Sequence, residues 1–234
     1  MIKNSGNPTA IFFDVDGVLL DSMELKASCF VDALAAYCDD PESIKNFHYE
    51  HAGLNSSVKL RKMWSELLGN PVDEAKVREI EFDFAHRLSE RLNEIRVYPD
   101  THYALEFWSR RCLIFAVSAM PHQELETLLL TSRIAPYFEA YLGYPPSKEA
   151  TLRRELSARH LQPQSCVLVG DSDADRDAAE SVGLMFIRVI RDGSRSSIVE
   201  QEPKNITVAN LHDMQDAVDM VLAKRVTFAK GSPG

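Results

Sequence analysis

The sequence predicts an α/β fold, a mostly parallel sheet covered by helices, with an all-helical block inserted after the first strand. Two observations carry this prediction. Residues 21–96 show helical periodicity and no strand pattern, whereas from residue 97 onward short apolar runs alternate with helical stretches. Such alternation is the signature of βα units around a parallel sheet. The implied division is a core of residues 1–20 and 97–234 and a helical insertion of residues 21–96.

The first strand is expected at residues 10–15, an apolar run bounded by Pro8 and Gly17. Leu25, Cys29, Ala33 and Tyr37 then recur at steps of four, and Asp21 with Glu24 resembles a capping box opening that helix. Leu60, Trp64, Leu67 and Leu68 mark a second helix ended by Gly69. A long third helix follows Pro71, its stripe formed by Val77, Ile80, Phe84, Leu88, Leu92 and Ile95. In the second part, strands are expected at residues 112–117, 140–142, 166–169, 184–190 and 206–208. Helices are expected after Pro121, at residues 149–160, up to Val182 and at residues 211–222. The polar tail, residues 230–234, reads as frayed.

Composition bounds the function. The chain has 234 residues, 45% of them hydrophobic and 26% charged, which suits a globular protein with a real core. A net charge of −9 argues against a nucleic-acid surface and against an anionic membrane. No apolar run approaches the roughly 20 residues of a spanning helix, and the first residues carry too short an apolar stretch for a secretion signal. Cys29, Cys38, Cys112 and Cys166 show no C-x-x-C spacing, so thiols in a reducing, cytoplasmic setting are expected, with Cys112 and Cys166 as small buried residues. His48 and His51 lack companions at zinc-ligand spacing, so zinc is not expected.

Two acidic clusters follow apolar runs. In IFFDVDGVLLDS, Asp14 and Asp16 lie two apart, so the strand period aims both carboxylates the same way, and Gly17 permits a tight exit. In VLVGDSDADRDAAESVG the order is again strand, Gly, Asp, helix, with Asp171 leading. Ligands of open parallel sheets bind beyond the carboxyl ends of the strands, where both clusters fall. Carboxylates brought close raise one another's pKa unless a cation compensates, and oxygen-only ligands suit Mg2+. Asp14 and Asp171 are the natural pair. A calcium loop at Asp171, Asp173 and Asp175 fails, because Arg176 and Val182 occupy its Gly and Glu positions. Taken singly, Asp171–Asp177 could also be an ordinary acidic helix start, and Ser118 and Lys148 residues near helix starts.

Together these residues resemble the haloacid dehalogenase superfamily, in its phosphatase branch with a helical cap, similar to phosphoglycolate phosphatases and β-phosphoglucomutase-like proteins. DVDGVLLD matches the first motif, Ser118 in CLIFAVSA the second, Lys148 in PPSKEATL the third and GDSDAD the fourth. The resemblance implies a Rossmann-like core with the helical block as cap. Asp14 would be the nucleophile, forming an aspartyl-phosphate, and Asp16 the general acid and base. Mg2+ would be held by Asp14, the Asp16 carbonyl and Asp171, with Asp175 in support. Ser118 and the Ala119 N–H would bind phosphoryl oxygens, and Lys148 would offset their charge. Ala119 departs from the Asn common in the second motif, and Pro145-Pro146-Ser147 precedes Lys148 where phosphoglycolate phosphatases often have a Pro after it.

An Asp at position 16 favours an alcohol leaving group, since halide departs without a proton and dehalogenating members lack this Asp. The expected activity is hydrolysis of a small phosphorylated metabolite. A phosphomutase is the alternative: that family has His where this chain has Lys26, and its G-x-S-R cap loop corresponds here to Gly53-Leu54-Asn55-Ser56, without the Arg. Lys59 or Arg61 could replace it. A non-catalytic scaffold is the third reading. Lys26, Gly53, Asn55 and Ser56 are expected to face the site and select substrate, and the cap to close over it about hinges at residues 20–22 and 96–99. Oligomeric state is open.

Overall fold

The computed structural model describes residues 7–191, 199–202 and 205–229, with residues 199–202, 205 and 224–229 described as backbone only. The elements in chain order are β1 (Ala10–Phe13), β2 (Leu20–Asp21), α1 (Met23–Leu34), α2 (Pro41–Glu50), α3 (Ser56–Lys62), α4 (Glu74–Glu90) and β3 (Arg96–Val97). They continue with α5 (Thr101–Ser109), β4 (Leu113–Pro121), α6 (His122–Thr131), β5 (Ala140–Tyr144) and α7 (Lys148–Ala158). Last come β6 (Cys166–Gly170), α8 (Asp173–Val182), β7 (Met185–Val189), β8 (Val199–Glu202), β9 (Asn205–Val208) and α9 (Met214–Ala229).

The main sheet has the order β5-β4-β1-β6-β7-β9-β8 and is parallel except for the edge strand β8. Counting only the parallel strands, this is the 3-2-1-4-5-6 order of the doubly wound fold. Its strands read as near-continuous apolar runs because helices bury both faces. Ile11 and Phe13 of β1 join one core with Trp108, Leu125, Leu128 and Val218. Ala10 and Phe12 join the other with Leu152, Leu168 and Ala179, where Phe12 stacks on Phe115 at 4.8 Å. A third, separate cluster of Phe30, Leu34, Ile44, Leu60, Trp64 and Phe84 holds α1–α4 together.

Several expectations are corrected. β1 ends at Phe13, two residues early: Phe13 is its last paired residue, and the Asp14 N–H makes the closing bond to Val169. The helical stretch does contain strand: β2 and β3 pair antiparallel, Leu20 with Val97 and Asp21 with Arg96, where the hinges were expected. Two residues per strand are too few to show a period. Asp21 therefore lies in a strand and caps nothing; Ser22 precedes α1 without a side-chain cap bond. Tyr37 lies beyond α1 and is exposed, Leu92 and Ile95 lie beyond α4, and α2 and β8 had no distinct signal. Cys112 is half-buried and Cys166 buried, and no disulfide joins the four cysteines. The tail at 230–234 lies outside the described residues.

Candidate active site

The parallel order places the crevice between β1 and β6, where chain connections depart in opposite directions. The Asp14 N–H donates to the Val169 carbonyl at 2.8 Å, so the residue after β1 is pinned to the end of β6. Asp171 directly follows β6. Gly17 lets the two ends approach: its φ is +74°, and a Cβ there would stand 2.3 Å from Asp171 Oδ2.

Carboxylate oxygens of Asp14, Asp171 and Asp175 all lie within 4.8 Å of one another. Lys148, the first residue of α7, reaches back to donate to Asp14 Oδ1 at 2.9 Å and also contacts Asp175 Oδ1. Asp175 is wholly buried; its Oδ2 accepts from the Ser172 N–H at 3.1 Å and its own N–H donates to Ser172 Oγ at 3.2 Å, the reciprocal capping box that starts α8, while Ser172 Oγ also lies 2.6 Å from Oδ2. Burial raises the Asp14 pKa well above the carboxylate range, Lys148 opposes this, and Asp175, Asp171 and Asp16 push it higher. Burial and then the Asp175 charge raise Asp171 to about 7. Crowded, desolvated carboxylates of this kind are what a hard divalent cation relieves, so the donor set fits Mg2+.

The Asp16 carboxylate faces elsewhere. It accepts from Ser22 Oγ at 2.5 Å and pairs with Lys26 Nζ of α1 at 2.5 Å. Burial would raise its pKa, but the Lys26 charge, with the Lys26 and Ser22 hydrogen bonds, holds it below the usual range. Ser118 lies inside β4, three residues before that strand ends rather than at its terminus, and its Oγ accepts from the Met120 N–H at 3.0 Å.

Asp14, Asp16, Asp171, Ser118, Ala119 and Lys148 line one cleft from the core side, and Lys26, Gly53 and Ser56 from the helical side. The cleft is tight, about 40 Å³ open to the centre of a water molecule. Asn55 is not part of its wall, contrary to expectation. Its Nδ2 donates to the Ala119 carbonyl at 2.7 Å while its Oδ1 accepts from the Ser57 N–H at 2.9 Å, so it fastens the helical block to the core. Gly53 lies against Ser172, whose Oγ would be 2.5 Å from an added Cβ. Of the two cations considered for the cap loop, Lys59 lines the cleft, whereas Arg61 is turned to Glu74 on the surface. His48 is a cleft residue that sequence reasoning did not assign to the site, and Lys59 entered it only as one of two replacements for the missing cap-loop Arg. They lie on different helices, α2 and α3, and no local motif joins them.

A strand-end acid pair, a buried lysine between acids and an inserted helical block define a hydrolase of the haloacid dehalogenase type. The chain belongs to the haloacid dehalogenase-like hydrolase family, whose pattern matches residues 8–183. It is similar to phosphoglycolate phosphatase 1 of Pseudomonas aeruginosa, at 24% identity over 91% of this chain and 80% of that protein. It is likewise similar to phosphoglycolate phosphatase of Pseudomonas fluorescens, at 23% identity over 88% of this chain and 78% of that one. Among solved structures, one from Haemophilus somnus described as a predicted phosphoglycolate phosphatase superposes with a TM-score of 0.72 at 19% identity, covering 92% of this chain and 99% of its own. Another from Thermotoga maritima, provisionally described as a β-phosphoglucomutase, superposes with a TM-score of 0.61 at 19% identity, covering 91% and 99%. These structural likenesses concern the fold. Among the described residues no helix is long and apolar enough to cross a membrane.

Proposed function

We propose that this protein is a Mg2+-dependent phosphatase that hydrolyses a small phosphate monoester through an aspartyl-phosphate on Asp14. The observation that carries the reading is the Asp14–Lys148–Asp175 constellation beside Asp171, all at the β1/β6 crevice. The phosphatase relatives make 2-phosphoglycolate the first ester to test.

A nucleophile must be ionised. Burial opposes this at Asp14, and the Lys148 ammonium favours it. Asp14, the Asp16 carbonyl and Asp171 would hold Mg2+, with Asp175 in support through Lys148 and Ser172, and the ion would supply charge neutralisation between an anionic carboxylate and an anionic phosphoryl group. Lys148, the Ser118 hydroxyl and the Ala119 N–H line the cleft where phosphoryl oxygens would rest. Asp14 attacks phosphorus, the ester P–O bond breaks, and a protonated Asp16 gives its proton to the leaving oxygen, so that the alcohol departs neutral and Asp16 is left as carboxylate. Water then attacks the phosphorus of the aspartyl-phosphate, its proton passes to Asp16, and inorganic phosphate departs from a restored Asp14. The pairing with Lys26 and Ser22 suits Asp16 to this second step, because it keeps the carboxylate ionised. Protonating the leaving oxygen requires that pair to open first. Closure of the helical block, residues 21–96, over the crevice would restrict substrates to small esters.

The test is phosphate release from 2-phosphoglycolate and from an aryl phosphate, with Mg2+ or with chelator. Asp14→Asn is expected to lower turnover by at least ~10³-fold, and acid quenching of the wild type should leave phosphate on the peptide containing Asp14. Full turnover in Asp14→Asn, or activity unaffected by chelation, would reject the reading.

A further inference from the structure

The turn that carries Asp16 is held from outside by an arginine that does not line the cleft. Between β1 and β2 the chain winds on itself: the Leu19 and Leu20 N–H groups both donate to the Val15 carbonyl at 3.0 Å, and the Gly17 N–H donates to the Leu20 carbonyl at 2.9 Å. The Val18 carbonyl takes no part in that winding. It belongs to a wholly buried residue two positions past Asp16, and it accepts from Nη2 of Arg191. A buried carbonyl needs a donor, and this one is supplied from 173 residues away.

Arg191 lies two residues past β7, and its side chain is 14% exposed. Its other terminal nitrogen, Nη1, donates to both oxygens of Asp100, at 2.9 and 2.7 Å, and the guanidinium stacks on the Tyr98 ring at 4.1 Å. Asp100 is itself buried, and its Oδ2 also accepts from the Leu211 N–H at 2.6 Å. It stands at the N-cap of α5 yet makes no cap bond there, although Asp is among the best capping residues. Arg191 likewise leaves a donor unused, since Nε is buried without an acceptor. Both side chains forgo bonds of their own, and what the arrangement secures is the link from Val18 through Arg191 to Asp100. The next carbonyl, that of Leu19, is tied to the same place by the Tyr98 N–H at 3.1 Å and Thr101 Oγ1 at 2.9 Å. The start of α5 and the residue beyond β7 thus form a fixed seat for the turn.

We propose that Arg191 is a positioning residue for Asp16: by holding the Val18 carbonyl against Asp100 it fixes the turn, so that the Asp16 carboxyl, once released by Lys26, meets the leaving oxygen. The Asp16 side chain rotates while its backbone stays in place. The proposal rests on the phosphatase reading and gives Arg191 no contact with substrate.

The leaving group is the probe. kcat/KM covers events up to transfer of the phosphoryl group to Asp14, where Asp16 protonates a departing alkoxide, whereas nitrophenolate leaves without a proton. The test compares kcat/KM for 2-phosphoglycolate with that for para-nitrophenyl phosphate in the wild type, Asp16→Asn and Arg191→Lys. Arg191→Lys keeps a cation for Asp100 but lacks the planar fork that reaches Val18 at the same time. The alkyl-to-aryl ratio should fall at least ~10-fold in Arg191→Lys, and further in Asp16→Asn, since moving a catalytic group by about 1 Å costs up to ~10²-fold. Asp100→Asn, which loosens Arg191 without altering the turn, should lower the ratio in the same direction, and it gives the reading if Arg191→Lys does not fold. A loss shared equally by the two esters, or an unchanged ratio, would overturn the proposal and leave the phosphatase reading intact. Failure of the wild type to release phosphate from either ester would reject that reading instead.

Discussion

Lys148 on the core side of the cleft and Lys59 on the helical side are the same residue with opposite electrostatic fates. Burial lowers both pKa values first. At Lys148 the Asp14 and Asp175 carboxylates more than reverse this and carry it above the ordinary lysine value. At Lys59 the next influence is another cation, Lys26, and the value falls to about 8. Sign of neighbour, rather than depth, separates them. The floor of the cleft is thus acid that needs cations, and the opposite wall is cation that needs an acid.

The largest effect that tests this contrast is removal of each lysine in turn. Lys148→Met leaves Asp14 and Asp175 facing each other without their cation. Turnover should fall about 10²–10³-fold, and the Mg2+-free protein should lose about 3 kcal/mol of stability, the usual cost of breaking a buried pair from one side. Mg2+ should restore part of that loss. Lys59→Met should melt no lower than the wild type. Melting curves with and without Mg2+ check both, and shifts of equal sign and size in the two variants would break the contrast.

A smaller effect concerns pH. Asp171 has its folded pKa raised to about 7, so its folded form binds a proton more tightly than the unfolded chain. Its contribution is complete below about pH 4 and is lost as pH rises through 7. His48 behaves oppositely: with a folded pKa of about 3 against 6.5, its contribution is complete above pH 6.5 and is lost as pH falls toward 3. Each slope is at most about 1.4 kcal/mol per pH unit. Between pH 6.5 and 5 the two oppose each other in the Mg2+-free wild type. Saturating Mg2+ should cancel the Asp171 contribution and make acidification more destabilising. His48→Gln should remove the other contribution, giving a gain relative to wild type of about 1–2 kcal/mol over the same interval. Denaturant titrations at the two pH values decide it; an unchanged pH slope in His48→Gln would show that His48 is not held neutral.

The difference between floor and wall also separates what sequence reveals from what it hides. Asp14, Asp16 and Asp171 were legible because strand, glycine and acid are contiguous; the strand period does not aim Asp14 and Asp16 together, since β1 ends at Phe13 and the Asp16 carboxylate turns to Ser22 and Lys26. Lys148 was legible only in company, as a lysine at a helix start in the right order. Lys59 and His48, 11 residues apart, meet because α2 and α3 pack around Ile44, Phe47 and Leu60, which no local spacing encodes. The same holds for the β2–β3 ribbon, whose two-residue strands have no period to read. Asn55 shows a subtler gap: its place in the loop was visible, while its partner, the Ala119 carbonyl, lies 64 residues away.

Asn55 supports the smallest prediction, because it serves both sides at once. One end of its amide caps α3 and the other holds the peptide that follows Ser118. Asn55→Ala removes both contacts and should cost about 1 kcal/mol of stability, as lost caps do. Asn55→Asp keeps the cap acceptor but sets a carboxylate against the Ala119 carbonyl. If the loop is a latch, Asn55→Asp should open the helical block locally, lowering kcat a few-fold and speeding hydrogen exchange around Ala119 and Met120, with the exchange of α3 unchanged. Ordinary turnover and exchange in Asn55→Asp would mean that closure depends on the Lys26–Asp16 pair and the seat of Gly53 on Ser172. The coupling between wall and floor would then run through the active-site acids themselves.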